Sequence, residues 1–438
     1  MKEIEVSKVI FDKRFYPRLK VSPGKVSEYE DVLSLLPPII INQDKVLIDG
    51  AHRLQAFKNK EQKRISYEEV KTEDDDDLLL KAIELNSKHG FQLTQKEKKD
   101  EIVKLYEKVV KGEAKSFNVA RLKQAFSIPD STFSDWTKGL NEQLEGQLLE
   151  KVLKLHLQCK TQEEIGKEIG TTGQTAGSKV REIELKFNEL NENPNSEIGS
   201  KFGFFEEKLT CLKEFSPRLF NLWYVAKLSN DANYFGTWPI EFMENLLYYY
   251  TKPFDVVYDP FAGGGVAIDA CEKWFRKCYA SDRKPTELRK DEIKKWDIKD
   301  GLPKDLPSPK LTFLDPPYWK QAEGKYSNDK DDLANVSLEK FYSSLEAFVK
   351  ELKKKMKSGS FVALVIQGTQ WKNNLKLEDH AFKLYKILEK HFEFEQRIIC
   401  PYSTQQYNAQ MIEKTKKEKI MLTLYRDLLV FKKTEGNK

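Results

Sequence analysis

The residues best suited to do chemistry lie in the second half of the chain. Asp315-Pro316-Pro317-Tyr318 follows directly on the apolar run Leu311-Thr312-Phe313-Leu314. Such a run reads as a buried strand, so Asp315 stands at its carboxyl end. The prolines restrict the backbone so that the Asp315 carboxylate and the Pro316 carbonyl face one amino group as acceptors, with the Tyr318 ring free to stack on a flat heterocycle. Accepting both N–H bonds of an exocyclic amine pulls its lone pair out of ring conjugation. The nitrogen then becomes a nucleophile.

A second cluster precedes it. Asp259-Pro260-Phe261-Ala262-Gly263-Gly264-Gly265 joins a strand-like run at 254–259 to a helical pattern at 266–274. Strand, glycine turn and helix in that order bring backbone close to a ligand beyond the strand ends. Asp282 closes the next strand-like run, where an acidic residue holds ribose hydroxyls, and Asp297 is placed to meet an adenine amino group. Alone, the glycine turn fits a nucleotide-binding dehydrogenase or a structural turn equally well. The Asp315 cluster downstream separates these readings.

Positioning these groups takes an open α/β sheet. Strand-like runs at 256–258, 311–314, 361–366 and 428–431 alternate with helical segments from residue 201 onward. Ahead of them come three expected parts: an α+β domain at 1–92, a helical region at 93–190 with apolar residues at three and four spacing, and a polar linker at 191–200. The fourth is the α/β domain at 201–438. The acidic run 73–77 reads as a solvated turn.

Composition bounds the rest. At 438 residues the chain exceeds one ordinary core. With 26 Phe, 18 Tyr and 7 Trp it has the aromatics to pack several, which excludes wholesale disorder. No apolar stretch approaches the ~20 residues that cross a bilayer, and the first residues lack a secretory signal, so a cytoplasmic protein without membrane contact is expected. Five cysteines form no CxxC pair, and of the five histidines only His156 stands near one, so neither a disulfide framework nor a metal site is expected. Residues 1–200 carry 33 basic and 35 acidic side chains, against 41 and 34 in 201–438, which places the positive excess in the second half. A phosphate-binding surface there is expected.

Residues 232–432 resemble the amino-group DNA methyltransferases that use S-adenosylmethionine to make N6-methyladenine or N4-methylcytosine, with 259–265 similar to the cofactor loop and 315–318 to the catalytic motif. The resemblance implies a Rossmann-like fold and a base flipped out of duplex DNA. It implies that Asp315, Pro316, Pro317 and Tyr318 are catalytic. Phe235-Gly-Thr-Trp238-Pro239 resembles the segment lining the methionine end of the cofactor. Asp259, Pro260, Phe261, Ala262, Gly263 and Gly265 would then meet methionine and adenosine, Asp282 the ribose and Asp297 the adenine. The charged run 319–335 fits a loop closing over the flipped base. Here the cofactor loop precedes the catalytic motif, unlike family members with the reverse order.

The first 90 residues resemble the ParB/sulfiredoxin-like domain through Phe15-Tyr-Pro-Arg18, Leu36-Pro-Pro-Ile-Ile40, Val46-Leu-Ile-Asp49-Gly50-Ala51-His52-Arg53 and Glu84-Leu-Asn86-Ser-Lys-His89-Gly90. Ala51 stands where the sulfiredoxin version carries a reactive cysteine, and His52 where CTP-binding ParB relatives carry a second arginine. A DNA-positioning or dimerising module is therefore favoured over a CTP site, and a homodimer is the expected assembly. Two helix-turn-helix patterns follow, at 119–136 and 162–181, whose second helices present Ser131, Thr132, Gln174, Thr175, Lys179 and Arg181 to double-stranded DNA. The leading reading is methylation of a DNA base amine, N6-adenine ahead of N4-cytosine. Its rivals are an RNA or protein methyltransferase and a ParB-like regulator with a silent cofactor fold.

Overall fold

The computed structural model describes residues 2–16, 21–88, 93–193, 195–224, 238–320, 329–370, 376–402 and 409–435. The chain divides into two compact units, Met1–Glu145 and Gly146–Lys438.

In the first unit β1 (Lys2–Glu5), α1 (Pro23–Glu30), β2 (Ile39–Ile41), β3 (Leu47–Asp49), α2 (Ala51–Asn59) and β4 (Arg64–Glu69) build a small α+β module. Its sheet runs β1-β4-β2-β3, with β2 and β4 parallel and the outer pairs antiparallel. Ile39, Ile41, Leu47, Leu54 and Ile65 form its core. Behind it come α3 (Asp75–Lys88), α4 (Gln95–Val110) and α5 (Val119–Phe126) around Ile83, Ile102, Leu122 and Phe126. The acidic run is not a solvated turn. Asp75, Asp76 and Asp77 form the first turn of α3, where negative charge favours the unpaired amides; Asp74 accepts the Asp77 N–H at 2.8 Å and Lys108 bonds Asp76 at 2.7 Å.

The 28-residue helix α6 (Asp130–Leu157) crosses the boundary between the units. In the second unit α7 (Gln162–Glu168) and α8 (Gly173–Glu192) form the second expected hairpin. A Cβ on Gly166 would stand 2.8–2.9 Å from the backbone of 171–173, so only glycine admits this tight turn. Phe187, Ile183 and Leu190 of α8 pack with Phe202, Phe205 and Phe275, and the expected linker adds partly buried Ile198 to the same core. The pair α7–α8 thus belongs to the α/β unit.

That unit continues through α9 (Phe205–Lys213), α10 (Ile240–Tyr250), β5 (Val256–Asp259), α11 (Val266–Lys273), β6 (Lys277–Asp282), β7 (Lys294–Lys295), β8 (Leu311–Leu314), α12 (Leu338–Lys355), β9 (Phe361–Ile366), α13 (His380–Leu388), β10 (Glu393–Pro401), α14 (Ala409–Glu418) and β11 (Tyr425–Lys432). The sheet order is β10-β11-β9-β8-β5-β6-β7, parallel from β9 to β7, with β11 antiparallel to both of its neighbours. Residues of α10 and α11 cover one face, and those of α12 and α13 the other. The chain leaves β5 first toward β6 and then, on the opposite side, toward β8. Ligands bind at such a reversal, outside the carboxyl ends of the strands. Among the described residues no helix is long and apolar enough to cross a membrane.

Candidate active site

A cavity of about 1230 Å³ opens at that reversal. Asp259 ends β5, Asp282 ends β6 and Asp315 follows β8, and all three line it with Trp238, Pro260, Phe261, Ala262, Gly263, Asp297 and Pro317. Of the expected site residues, Pro239, Gly265, Pro316 and Tyr318 are not among its lining. Pro239 caps α10 and Gly265 caps α11, while Tyr318 packs against the core on the α12 face.

The turn after β5 is tied down by carboxylates. Asp259, almost wholly buried, accepts the Phe261 N–H at 3.0 Å. Asp282 accepts the Gly263 N–H at 3.0 Å through one oxygen and the Lys284 N–H at 2.8 Å through the other, joining the turn to the end of β6. Gly265 adopts φ +88°, a left-handed conformation that starts α11 from a sharp reversal.

Burial raises all three strand-end acids. It lifts Asp259 well above the ordinary carboxylate range, with Asp315 and Asp282 adding like-charge repulsion against the Phe261 amide. Asp282 also rises through burial, opposed by its two backbone donors. Asp315 is pushed up to about 6 by burial, with Arg426 pulling it down. A pocket with its acids held this way favours a ligand that brings positive charge.

Asp297 is engaged from its own side: it accepts the Lys299 N–H at 3.0 Å and pairs with Arg283 Nε at 3.1 Å. Arg283 also meets Asp329 and lies 3.6 Å from Asp332, so one cation gathers three acids at the cavity mouth. Of the expected loop 319–335, residues 321–328 lie outside the described residues. Past Tyr318, Trp319 donates Nε1–H to the Val336 carbonyl at 2.9 Å, and its own carbonyl accepts from Thr369 Oγ1 at 2.7 Å. Thr369 contacts Nε2 of fully buried His380 at 2.9 Å, and His380 Nδ1 lies 2.7 Å from the Tyr342 hydroxyl. Burial pushes His380 down to about 4, against Glu378 and Asp379, so its ring is neutral at pH 7.

Sequence reading missed Arg283, Thr369 and His380, which no motif marks. It missed Arg426 too, although Tyr425-Arg426-Asp427 ahead of the apolar run 428–431 puts a charge at the mouth of a buried strand. The Arg426 guanidinium lies 4.8 Å from the Trp238 ring and 4.7 Å from the Tyr402 ring.

In the first unit Arg53 Nη2 bonds Asp49 at 2.6 Å, and His52 Nε2 accepts the Ser22 N–H at 3.0 Å. His52 and Arg53 therefore both have partners within the module. Among the helix-turn-helix positions, Ser131, Gln174, Thr175 and Arg181 are exposed, and Thr132 and Lys179 partly so. Thr172 caps α8 by accepting the Thr175 N–H at 3.2 Å.

The sequence matches the DNA methylase family of the N6/N4 type over residues 16–293, well over half of the chain. The chain belongs to this family. The match takes in the glycine turn at 259–265 and Asp282, and ends before Asp315. S-adenosylmethionine is the methyl donor that goes with membership. The cavity suits it: its three raised acids favour the positive sulfonium and ammonium groups, and the Gly263–Gly265 turn leaves room beside them.

No curated protein matches the chain. Solved structures similar to it include TrmN from Thermus thermophilus, 15% identical over 45% of this chain and 50% of that one at a TM-score of 0.29. A SAM-dependent methyltransferase from Archaeoglobus fulgidus is 14% identical over 44% of this chain and 94% of that one, TM-score 0.29. The chromosome-partitioning protein ParB from Caulobacter crescentus, complexed to the centromeric parS site, is 17% identical over 32% of this chain and 72% of that one, TM-score 0.24. The chain spans half the length of TrmN.

Proposed function

We propose that the protein transfers a methyl group from S-adenosylmethionine to the exocyclic amino group of a base flipped out of double-stranded DNA, N6 of adenine ahead of N4 of cytosine. The observation that carries this reading is Asp315 at the carboxyl end of β8, sharing one cavity with Asp259 and Asp282. The cofactor brings a methyl group already activated by its sulfonium. Asp259, Phe261 and Gly263 would hold its methionine and adenosine parts, Asp282 the ribose and Asp297 the adenine, with Trp238 at the methionine end.

The chain's own part is alignment and electrostatics. The Asp315 carboxylate accepts an N–H of the target amine and, with Pro316, turns its lone pair toward the methyl group; Tyr318, packed on the core in this structure, would have to turn toward the cavity to stack on the base. As positive charge develops on the amine, Asp315 stabilises it. A carboxyl near 6 is then placed to take the proton that the methylated amine sheds. The first unit and the two hairpins serve DNA positioning, with Ser131, Thr132, Gln174, Thr175, Lys179 and Arg181 as contacts, and homodimerisation belongs to this reading. A cytoplasmic location belongs to this reading. The test is incubation with labelled S-adenosylmethionine and plasmid, followed by mass spectrometry of the nucleosides. N6-methyladenine or N4-methylcytosine supports the reading; no label in DNA, with label in RNA or protein instead, overturns it.

A further inference from the structure

We propose that Arg426 is a positioning residue for Asp315: clamped between Trp238 and Tyr402, its guanidinium serves as the counter-ion that keeps the Asp315 carboxylate in its acceptor form. The proposal rests on the function proposed above and names a part that no sequence motif marks.

The clamp is rigid. Trp238 packs edge-on against Phe242 with ring centroids 5.1 Å apart and lies 6.1 Å from Phe313, two residues before Asp315 on β8. Tyr402 donates its hydroxyl to Gln367, just past the end of β9. An aromatic face on each side favours a cation electrostatically while excluding water from it. Among the described residues Arg426 Nε is buried without a hydrogen-bond partner, as are Trp238 Nε1 and the Tyr318 hydroxyl. With its Nε left without a partner, the buried guanidinium gains from nearby negative charge.

That charge is not the adjacent acid. Successive strand residues face opposite sides, so Asp427 points away from Arg426, and it is already bonded to Arg397 at 2.8 Å. Its position at the start of β11, beside the Trp238 ring of the cavity wall, brings it within electrostatic reach of Asp315, Tyr318 and Tyr402, whose attraction holds its charge against burial. Asp315 in turn feels Arg426 from β11 and Tyr318 from its own loop, and it shares the cavity with the like-charged Asp259 at the end of β5. Arg426 is the cation that pulls Asp315 down and opposes the effect of burial.

The test uses the full-length protein with Arg426→Met, which keeps the bulk and removes the charge, and Arg426→Lys, which keeps the charge. Methyl transfer to plasmid DNA from a methylation-deficient host is followed from pH 5.5 to 9. An opposite charge at such range lowers a carboxyl by roughly 1–3 units, so Arg426→Met should move the acid limb of the rate profile up by at least about one unit. The rate near pH 7 should fall roughly tenfold and recover toward pH 9, while Arg426→Lys stays near the wild-type profile. A loss by one factor at every pH, or an unmoved limb, overturns the proposal.

A second measurement needs no substrate. The melting-temperature difference between Asp315→Asn and its parent, taken against pH, reads Asp315 ionisation directly. In the Arg426→Met background its midpoint should move upward; an unmoved midpoint refutes the coupling whether or not DNA is the substrate. Absence of any DNA methylation by the wild-type protein, with that midpoint shifted, would overturn the functional reading and leave the Arg426–Asp315 pairing standing.

Discussion

Asp315→Asn should make the protein more stable and nearly inactive, and the two effects can be sized separately. Asn has the same shape, so no cavity opens, but it cannot ionise. The folded carboxyl titrates at about 6 because burial outweighs Arg426, against about 3.8 for a free side chain. At about 1.4 kcal/mol per unit, the folded state is disfavoured by at most about 3 kcal/mol once Asp315 is ionised. That value already contains the pull of Arg426, so a gain of up to about 3 kcal/mol is expected on substitution.

The sign follows from linkage. A carboxyl raised on folding binds its proton more tightly in the folded state, so the penalty is absent below the unfolded value, grows between about 4 and 6, and is complete above 6. The melting temperature of Asp315→Asn should therefore exceed that of wild type by a few degrees at pH 8. Near pH 4 the two should coincide. Removing an acceptor aimed at developing charge should lower kcat by about 10²–10³, with cofactor affinity by calorimetry unchanged within about threefold. A wild-type kcat refutes the catalytic role of Asp315. A stabilisation that is the same at both pH values refutes the argument from burial.

Other substitutions address the scaffold. Gly265→Ala forces a Cβ into a left-handed conformation and to 3.2 Å from Arg289 Nε, whose guanidinium is held by Asp269 and Glu292. A local cost of about 1–2 kcal/mol and a roughly tenfold loss of cofactor affinity are expected by calorimetry, and unchanged affinity would contradict it. A protein beginning at Ser200 strips Ile183, Phe187 and Leu190 from Phe205 and Phe275, and should aggregate or melt early, whereas one beginning at Gly146 should fold and bind cofactor. Comparing DNA affinity of the 146–438 protein with the full chain at several salt concentrations then measures the first unit's share; equal salt slopes would remove its DNA role. Thr369→Val deletes the donor to the Trp319 carbonyl and the partner of His380 Nε2, and should cost about 1–3 kcal/mol in denaturant unfolding and lower kcat without changing cofactor affinity.

The sheet strands that carry the site were legible because each is a short apolar run ending in an acid: 256–258 before Asp259, 311–314 before Asp315. Burial on both faces writes that pattern. β10 was not legible, since its first five residues, Glu393 to Arg397, are exposed on the sheet edge and carry no apolar periodicity. The acidic run 73–77 misled because charge alone does not distinguish a solvated turn from a helix start. The α7–α8 hairpin was read as a helical region apart from the catalytic domain, because nothing local in its sequence says that Phe187 will meet Phe275, 88 positions away.

Arg426 shows what such reading leaves out, and the sheet explains how it reaches the site. β5, β6, β8 and β9 run parallel, so their carboxyl ends deliver Asp259, Asp282, Asp315 and Gln367 to one edge. A residue beginning another parallel strand would emerge at the opposite edge. β11 is antiparallel to β9, with Asp427 opposite Ile366, so the start of β11 stands where the parallel strands finish. Reversal of one strand therefore places a cation 111 positions from Asp315 in the chain at the rim that holds the acids. The pairing is set by topology, and a spacing rule along the sequence has no access to it.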